Sequence, residues 1–330
     1  MDTIMKQQKL PLGLYIHVPF CPQKCAYCDF YSLPQAEDQM DEYTRAVVAH
    51  LKEVAPRAAM HTVDTVYFGG GTPTSLEAAQ LEAIMKTVEK SFDCSALREY
   101  TVEAGRADTI TEEKLRVIKN CGAKRISINP QTLSNSVLKA IGRRHTAEDF
   151  YEKFNLARKI GFDCINTDLI AGLPTDTVES FKNTIDGIVK LSPENVTVHT
   201  LSIKRCATIN TAESRDVLRN PAAEMVGYAT ETLQKSAYSP YYLYRQKNML
   251  DNLENIGWSK KDCESLYNIY IMEEIQTILA VGAGGSTKLV DNINHRLERV
   301  FNYKLPLEYI KNFDKVIEKK KEIEEFYGCE

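Results

Sequence analysis

A chain of 330 residues with 43% hydrophobic and 26% charged residues has the balance of an ordinary globular protein. Its formal net charge of −4 leaves no basic excess to hold a phosphate backbone, which argues against nucleic acid as a general partner. The opening residues Met1–Gly13 have no apolar segment of signal-peptide type, and no run of 18 apolar residues occurs, so neither export nor a membrane span is expected and the reading is cytoplasmic. The length accommodates one large α/β domain with a smaller appendage.

Taken in chain order, short β-branched or aromatic runs at Leu14–Val18, Thr65–Phe68, Tyr100–Glu103, Arg125–Ile128, Cys164–Ile170 and Val196–His199 read as buried strands. Apolar residues at helical spacing fall between them, in Asp41–Glu53, Leu76–Ser91, Glu112–Asn120, Ala147–Ile160 and Val178–Leu191. Strand and helix alternating in this way predict a parallel sheet of βαβ units. Six units fall short of a closed eight-stranded barrel, so the expected fold is an open partial (β/α)6 barrel of TIM type, or a doubly wound sheet. From about Pro221 the rhythm changes: Tyr238, Tyr241, Tyr242 and Tyr244 cluster, a glycine-rich stretch Val281–Gly285 follows, and Lys311–Glu325 is charged and helical. A boundary near Tyr238 is expected, dividing a core of residues 1–237 from a smaller α+β unit of residues 238–330.

Six of the nine cysteines (Cys94, Cys121, Cys164, Cys206, Cys263 and Cys329) are scattered, as reduced, partly buried thiols are. The other three, Cys21, Cys25 and Cys28, form C-x3-C-x2-C directly after the first strand. Three thiolates on one loop can take three irons of a cubane cluster and leave the fourth iron open for another ligand. A structural zinc needs four protein ligands, and a disulfide would leave one thiol over. His17, beside the loop, suits packing or a hydrogen bond better than a fourth ligand position.

The run Leu14–Cys28 resembles the cluster loop of the oxygen-independent coproporphyrinogen III oxidase family, a branch of the radical S-adenosylmethionine (SAM) enzymes. The likeness runs from about Tyr15 to Lys288. It includes Tyr67–Thr74, Val102–Arg106, Arg125–Gln131, Ile141–Thr146 and Asn166–Pro174. Two further runs, Thr197–Arg205 and Gln276–Lys288, resemble the coproporphyrinogen dehydrogenase subgroup of clostridia and bacilli.

This resemblance implies a 4Fe-4S cluster on Cys21, Cys25 and Cys28, with SAM bound at its open iron. It also implies SAM contacts from Tyr15, Tyr27, Gly70, Gly71, Thr72, Glu103, Gln131, Arg143, Asp168, Ile170 and Ser202. Glycines at 69–71 permit close approach of a ligand, and Arg143 can grip a carboxylate in two-pronged fashion. Asp168, in an apolar strand, requires a partner. Arg106, Lys204, Arg205, Arg245 and Lys247 are candidate anchors for the propionates of a tetrapyrrole. An electron from a flavodoxin or ferredoxin would start the chemistry, converting two propionates of coproporphyrinogen III to vinyl groups. The oxidases have an extra cysteine two residues after the third ligand, where this chain has Phe30, and a longer segment before the position of Tyr15. The flank Cys28–Tyr31 looks more like the haem-chaperone branch of the family. Three readings stand open: coproporphyrinogen dehydrogenase, haem chaperone, and radical breakdown of haem.

Overall fold

The computed structural model describes residues 9–28, 32–34, 36–202, 221–244 and 253–328. Six strands lie side by side in chain order: β1 (Leu10–Val18), β4 (His61–Gly70), β5 (Glu99–Glu103), β6 (Arg125–Ser127), β7 (Cys164–Ala171) and β8 (Asn195–Thr200). All five pairings among them are parallel. Two short strands, β2 (Phe20–Cys21) and β3 (Leu33–Pro34), pair separately beside the cysteine loop. Crossovers between parallel strands are right-handed, so a sheet that grows steadily in one direction carries its helices on one face and curls away from them. The order therefore selects the open barrel over the doubly wound sheet, whose strand order reverses.

The helices between these strands are α1 (Met40–Val54), α2 (Ala78–Ser91), α3 (Glu112–Asn120), α4 (Asn135–Ala140), α5 (Ala147–Ile160) and α6 (Val178–Leu191). Their ends follow local chemistry. Thr146 and Asp149 form a reciprocal capping box at the start of α5, and Gly161 takes the left-handed conformation (φ 91°) at its end. Beyond one register shift where β4 runs beside Leu12 and Gly13 of β1, strand residues alternate. Leu14, Ile16 and Val18, Val66 and Phe68, Val102, Ile126, Ile165, and Val196 and Val198 join one core with the helix residues Val47, Leu51, Leu81, Ile84, Leu115, Phe154 and Ile185. The intervening residues face the concave side: Tyr15 and His17, Tyr67 and Gly69, Glu103, Ser127, Asn166 and Asp168, and Thr197 and His199. A closed TIM barrel fills this space with branched apolar side chains. Here it is lined with polar and aromatic ones.

The C-terminal part comprises α7 (Ala222–Lys235), β9 (Ser239–Tyr244), β10 (Asn255–Ser259), α8 (Leu266–Glu273), β11 (Thr277–Val281), β12 (Ser286–Asp291) and β13 (Arg296–Phe301), then α9 (Pro306–Lys311), α10 (Phe313–Lys319) and α11 (Lys321–Phe326). Its strands extend the same sheet at both margins, giving among the described residues the order β13-β12-β11-β1-β4-β5-β6-β7-β8-β10-β9. β11 joins β1 in parallel, and β10 joins β8 antiparallel. The described strands from residue 238 onward thus all belong to this one sheet.

The glycine-rich stretch is the turn from β11 to β12. Gly282 has φ +100°, and a Cβ there would stand 2.5 Å from the His17 carbonyl oxygen, so the turn seats directly on the end of β1. The expected tail helix is broken in two at Lys320, whose side chain is buried. Its Nζ reaches Ala280 O (3.4 Å) and Thr287 Oγ1 (3.3 Å), and burial pushes its ammonium down to about 7. Seating this one cation against the β11–β12 hairpin accounts for the turn between α10 and α11. No helix among the described residues is long and apolar enough to cross a membrane.

Candidate active site at the C-terminal rim

The cysteine loop leaves β1 at the C-terminal rim of the parallel strands, where ligands bind in barrels and open α/β sheets. It is tied down at several points. Ala26 N donates to Ile141 O (3.0 Å), and Cys28 N donates to Cys25 O (3.1 Å). Gln23 Nε2 donates to Gly142 O, and Arg144 Nε donates to Gln23 Oε1. The loop between α4 and α5 therefore clasps the cysteine loop.

The glycine loop after β4 docks against its other side. Gly71 N donates to Val18 O (2.7 Å), Thr72 N donates to Phe20 O (2.8 Å), and Cys21 Sγ lies 3.1 Å from Thr72 Oγ1. A Cβ on Gly70 (φ +115°) would meet Val18 O at 2.8 Å, and one on Gly71 would meet Phe20 O at 2.5 Å. The close approach these glycines permit is to the chain itself. Only at Gly69, whose Cβ would crowd Glu103, Tyr15 and Tyr67 at 3.1 Å each, does the missing side chain open the concave face.

Two carboxyls stand on that face. Glu103, at the end of β5, accepts a hydrogen bond from the Tyr67 hydroxyl. Burial, reinforced by the charge of Asp168, raises its pKa to about 7. Asp168 accepts from Asn129 Nδ2 (2.9 Å) and Asn166 Nδ2 (2.8 Å), and His199 Nε2 lies 3.8 Å away. Burial pushes this carboxyl up, but His199 and the Asn166 and Thr197 donors outweigh it and hold the pKa below its ordinary value. Near pH 7 the face therefore carries one firmly ionised carboxylate and one that takes or gives a proton.

Gln131 has φ +69°, a left-handed conformation rare for glutamine, held by Gln131 N to Asp168 O and Ile170 N to Gln131 O, both 3.0 Å. Ile170 joins Val137, Leu138, Ile141, Leu173 and Leu201 in an apolar cluster against which Tyr27 packs. Ser202 follows directly on this cluster and is buried. Deeper in, Tyr15, Tyr67 and Tyr267 stack, the last two with ring centroids 4.1 Å apart. His17 keeps Nδ1 at 3.0 Å from the Tyr15 hydroxyl, and its ring lies beside Gly70 and Gly284.

Arg143 donates to the Tyr27 hydroxyl (2.7 Å) and to Gly105 O (3.3 Å), and its buried Nε has no partner among the described residues. Arg106 is not placed to anchor a substrate. It is 2% exposed, and its guanidinium is taken up by Asp108, Gln23 and Cys25. The other expected anchors, Lys204, Arg205, Arg245 and Lys247, lie outside the described residues, as does Phe30.

The donor set suits an iron–sulfur cubane. Among the described residues no three His, Cys, Asp or Glu side chains lie close enough to share one metal ion. A cubane demands something different, because each ligated iron takes its own thiolate. Around the three-cysteine loop stand carboxyls, an amide and an unpartnered arginine N–H, the groups that an ammonium and a carboxylate need.

Residues 15–188, more than half of the chain, match the family model described as the radical SAM superfamily. The chain belongs to the radical SAM superfamily. Members of this superfamily use a 4Fe-4S cluster and SAM. Within it the chain is similar both to oxidase-like proteins and to haem chaperones. It is 42% identical over 316 residues to "Oxygen-independent coproporphyrinogen-III oxidase-like protein HemZ" of Bacillus subtilis, covering 94% of this chain and 63% of that protein's length. It is 30% identical to "Heme chaperone HemW" of Lactococcus lactis, covering 96% of this chain and 80% of that one. The solved radical SAM enzyme HemN, the coproporphyrinogen III oxidase of Escherichia coli, superposes with a TM-score of 0.71 over 93% of this chain and 70% of its own, at 22% identity. That likeness is one of fold.

Reading the strands only as buried runs missed the concave wall: Asn129, Asn166, His199, Tyr67 and Tyr267. For Asn129 and His199 the signal was present as an alternation of polar and apolar residues, in Ile126-Ser127-Ile128-Asn129 and Val196-Thr197-Val198-His199.

Proposed function

We propose that this chain is a cytoplasmic radical SAM enzyme of tetrapyrrole metabolism, acting on coproporphyrinogen III. In this reading Cys21, Cys25 and Cys28 each ligate one iron. Glu103, Gln131, Asp168 and Arg143 hold the charged end of SAM together with Thr72 and the Gly70–Gly71 backbone. Tyr15, Tyr27, Ile170 and Ser202 border it. The chemistry such a pair supplies is one-electron hydrogen abstraction, which at a propionate β-carbon, with loss of carbon dioxide and an electron, leaves a vinyl group. The protein positions, shields and charges the site. A flavodoxin or ferredoxin serves as electron donor. Reduced thiols suit that compartment, and among the described residues no cysteine is in a disulfide.

The observation that carries the reading is the convergence at one rim of a three-cysteine loop, a glycine loop docked on it and two differently charged carboxyls. Supporting the specific substrate is the 42% identity to the oxidase-like HemZ. The second reading, a haem carrier, has the 30% identity to HemW in its favour. Anaerobic incubation of reconstituted protein with coproporphyrinogen III, SAM and a reductant separates them. Formation of protoporphyrinogen IX is expected. Tight haem uptake without any conversion of coproporphyrinogen would establish the carrier instead.

Glu103 offers a pH test of the SAM assignment. Its pKa is raised to about 7, so the free protein holds the carboxyl protonated below that pH and must release the proton before pairing with an ammonium. Affinity for S-adenosylhomocysteine should rise with pH by up to about tenfold per unit below 7 and level off above it. Calorimetry near pH 6 in buffers of different ionisation enthalpy should register one proton released. Glu103→Gln should bind weakly with a flat profile. A flat profile in the unaltered protein would remove Glu103 from the ligand's surroundings.

A further inference from the structure

Arg106 spends every edge of its guanidinium inside the protein. Nε and Nη2 donate to the two oxygens of Asp108, each at 3.0 Å, and Nη1 donates at 3.3 Å both to the Gln23 carbonyl and to Cys25 Sγ. Beyond Asp108 lies buried His145, with Nδ1 3.8 Å from the carboxylate. Burying such an ion pair costs several kcal/mol of solvation for each ion, and an apolar side chain of the same length would fill the space with less penalty. What the apolar replacement cannot do is direct a charged N–H at a cysteine sulfur.

We propose that Arg106 is a positioning residue that fixes Cys25 and raises the reduction potential of the cluster, with Asp108 as the countercharge that limits the effect. The inference rests on the reading of Cys21, Cys25 and Cys28 as ligands. Reduction adds one electron to a cluster already surrounded by three thiolates. A hydrogen bond to a ligand sulfur and a positive charge beside it both favour the more negative state. A carboxylate behind the cation opposes them. Two substitutions made within one ion pair should therefore move the potential in opposite directions. General loosening of the loop would not.

The test is a redox titration of the anaerobically reconstituted full chain, without SAM, followed by electron paramagnetic resonance of the reduced cluster. Arg106→Gln should lower the reduced-to-oxidised ratio at a fixed poise by about tenfold, which for one electron is a shift of about 59 mV to the negative side. Arg106→Lys, which keeps the charge but loses the fork, should fall between. Asp108→Asn should shift the midpoint to the positive side. Unmoved midpoints in variants that hold the cluster, or shifts of one sign in both Arg106→Gln and Asp108→Asn, overturn the proposal. If Arg106→Gln holds no iron, Arg106→Lys and Asp108→Asn decide it, and unmoved midpoints in both overturn it. An unaltered chain that assembles no cluster overturns the ligand reading, and this inference with it.

Discussion

Cys25→Ala, reconstituted with iron and sulfide under anaerobic conditions, is expected to hold iron only at background level and to lack the brown absorbance of the unaltered protein. The loss should be nearly complete because a three-thiolate site has no ligand in reserve: among the described residues no three His, Cys, Asp or Glu side chains are close enough to share a metal ion in its place. The polypeptide should survive the change. Cys25 is buried, but the Arg106 Nη1 that donates to its sulfur also donates to the Gln23 carbonyl, and Asp108 keeps the rest of the guanidinium paired. No buried charge is left unpaired, so the penalty that usually follows removal of one partner does not arise. Circular dichroism should be unchanged while iron content collapses. Cys94→Ala is the matched control, since Cys94 is partly exposed and follows α2 at the opposite end of the strands. It should keep full iron. Full iron in Cys25→Ala would refute the ligand assignment.

Gly71→Ala is expected to be among the most damaging changes of a single methyl group in the molecule. The new Cβ would stand 2.5 Å from the Phe20 carbonyl oxygen and 3.1 Å from backbone carbons of Pro19 and Phe20. These are main-chain atoms, and no side chain can swing aside to relieve them. Moving the loop away would break Gly71 N to Val18 O and Thr72 N to Phe20 O, the bonds that dock it on the cysteine loop. Overpacking of this kind costs about 1–3 kcal/mol, and the broken hydrogen bonds add about 1 kcal/mol each. A stability loss of about 3 kcal/mol with failure to assemble the cluster is the expected outcome, read by urea denaturation and iron content. Gly227→Ala gives the contrast. Gly227 lies within α7 with nothing within 4 Å of the added carbon, so alanine should stabilise the helix by about 1 kcal/mol. If both variants unfold at the unaltered midpoint, the docked geometry of the glycine loop is wrong.

Much of this architecture was legible in the residues. β6 begins at Arg125, β7 at Cys164, and α3, α5 and α6 span Glu112–Asn120, Ala147–Ile160 and Val178–Leu191, as their periodicity predicts. Long amphipathic elements announce themselves because each must bury a stripe. α4 did not, being six residues long and too short to show a period. Nor did the place of β11 beside β1, since pairing of strands far apart in the chain is set by sheet closure and not by any local pattern. Of the candidate site, the three-cysteine spacing stood out in the residues themselves, while Glu103 and Asp168 were pointed to by the family resemblance. The duty of Arg106 could not: a cation near a strand end reads as a substrate anchor until the structure shows Asp108 wrapped around it and a thiol beneath it. The burial of Lys320, which breaks the last helix, was equally invisible in a run of lysines.

Both margins of the parallel sheet are completed by strands that come late in the chain. β1 leaves the ribosome ahead of the rest of the (β/α)6 unit, yet its partner β11 is made only after the whole of that unit. Until then β1 offers an unpaired backbone, and β8 waits in the same way for β10. During synthesis the nascent protein therefore carries two adhesive borders at once, a state that invites stray pairing and calls for chaperone cover. When β11 finally inserts, its glycine turn seats on the end of β1 beside His17, so the same event that seals the sheet also finishes one wall of the site. A chain interrupted before that point would lack closure and catalytic geometry together.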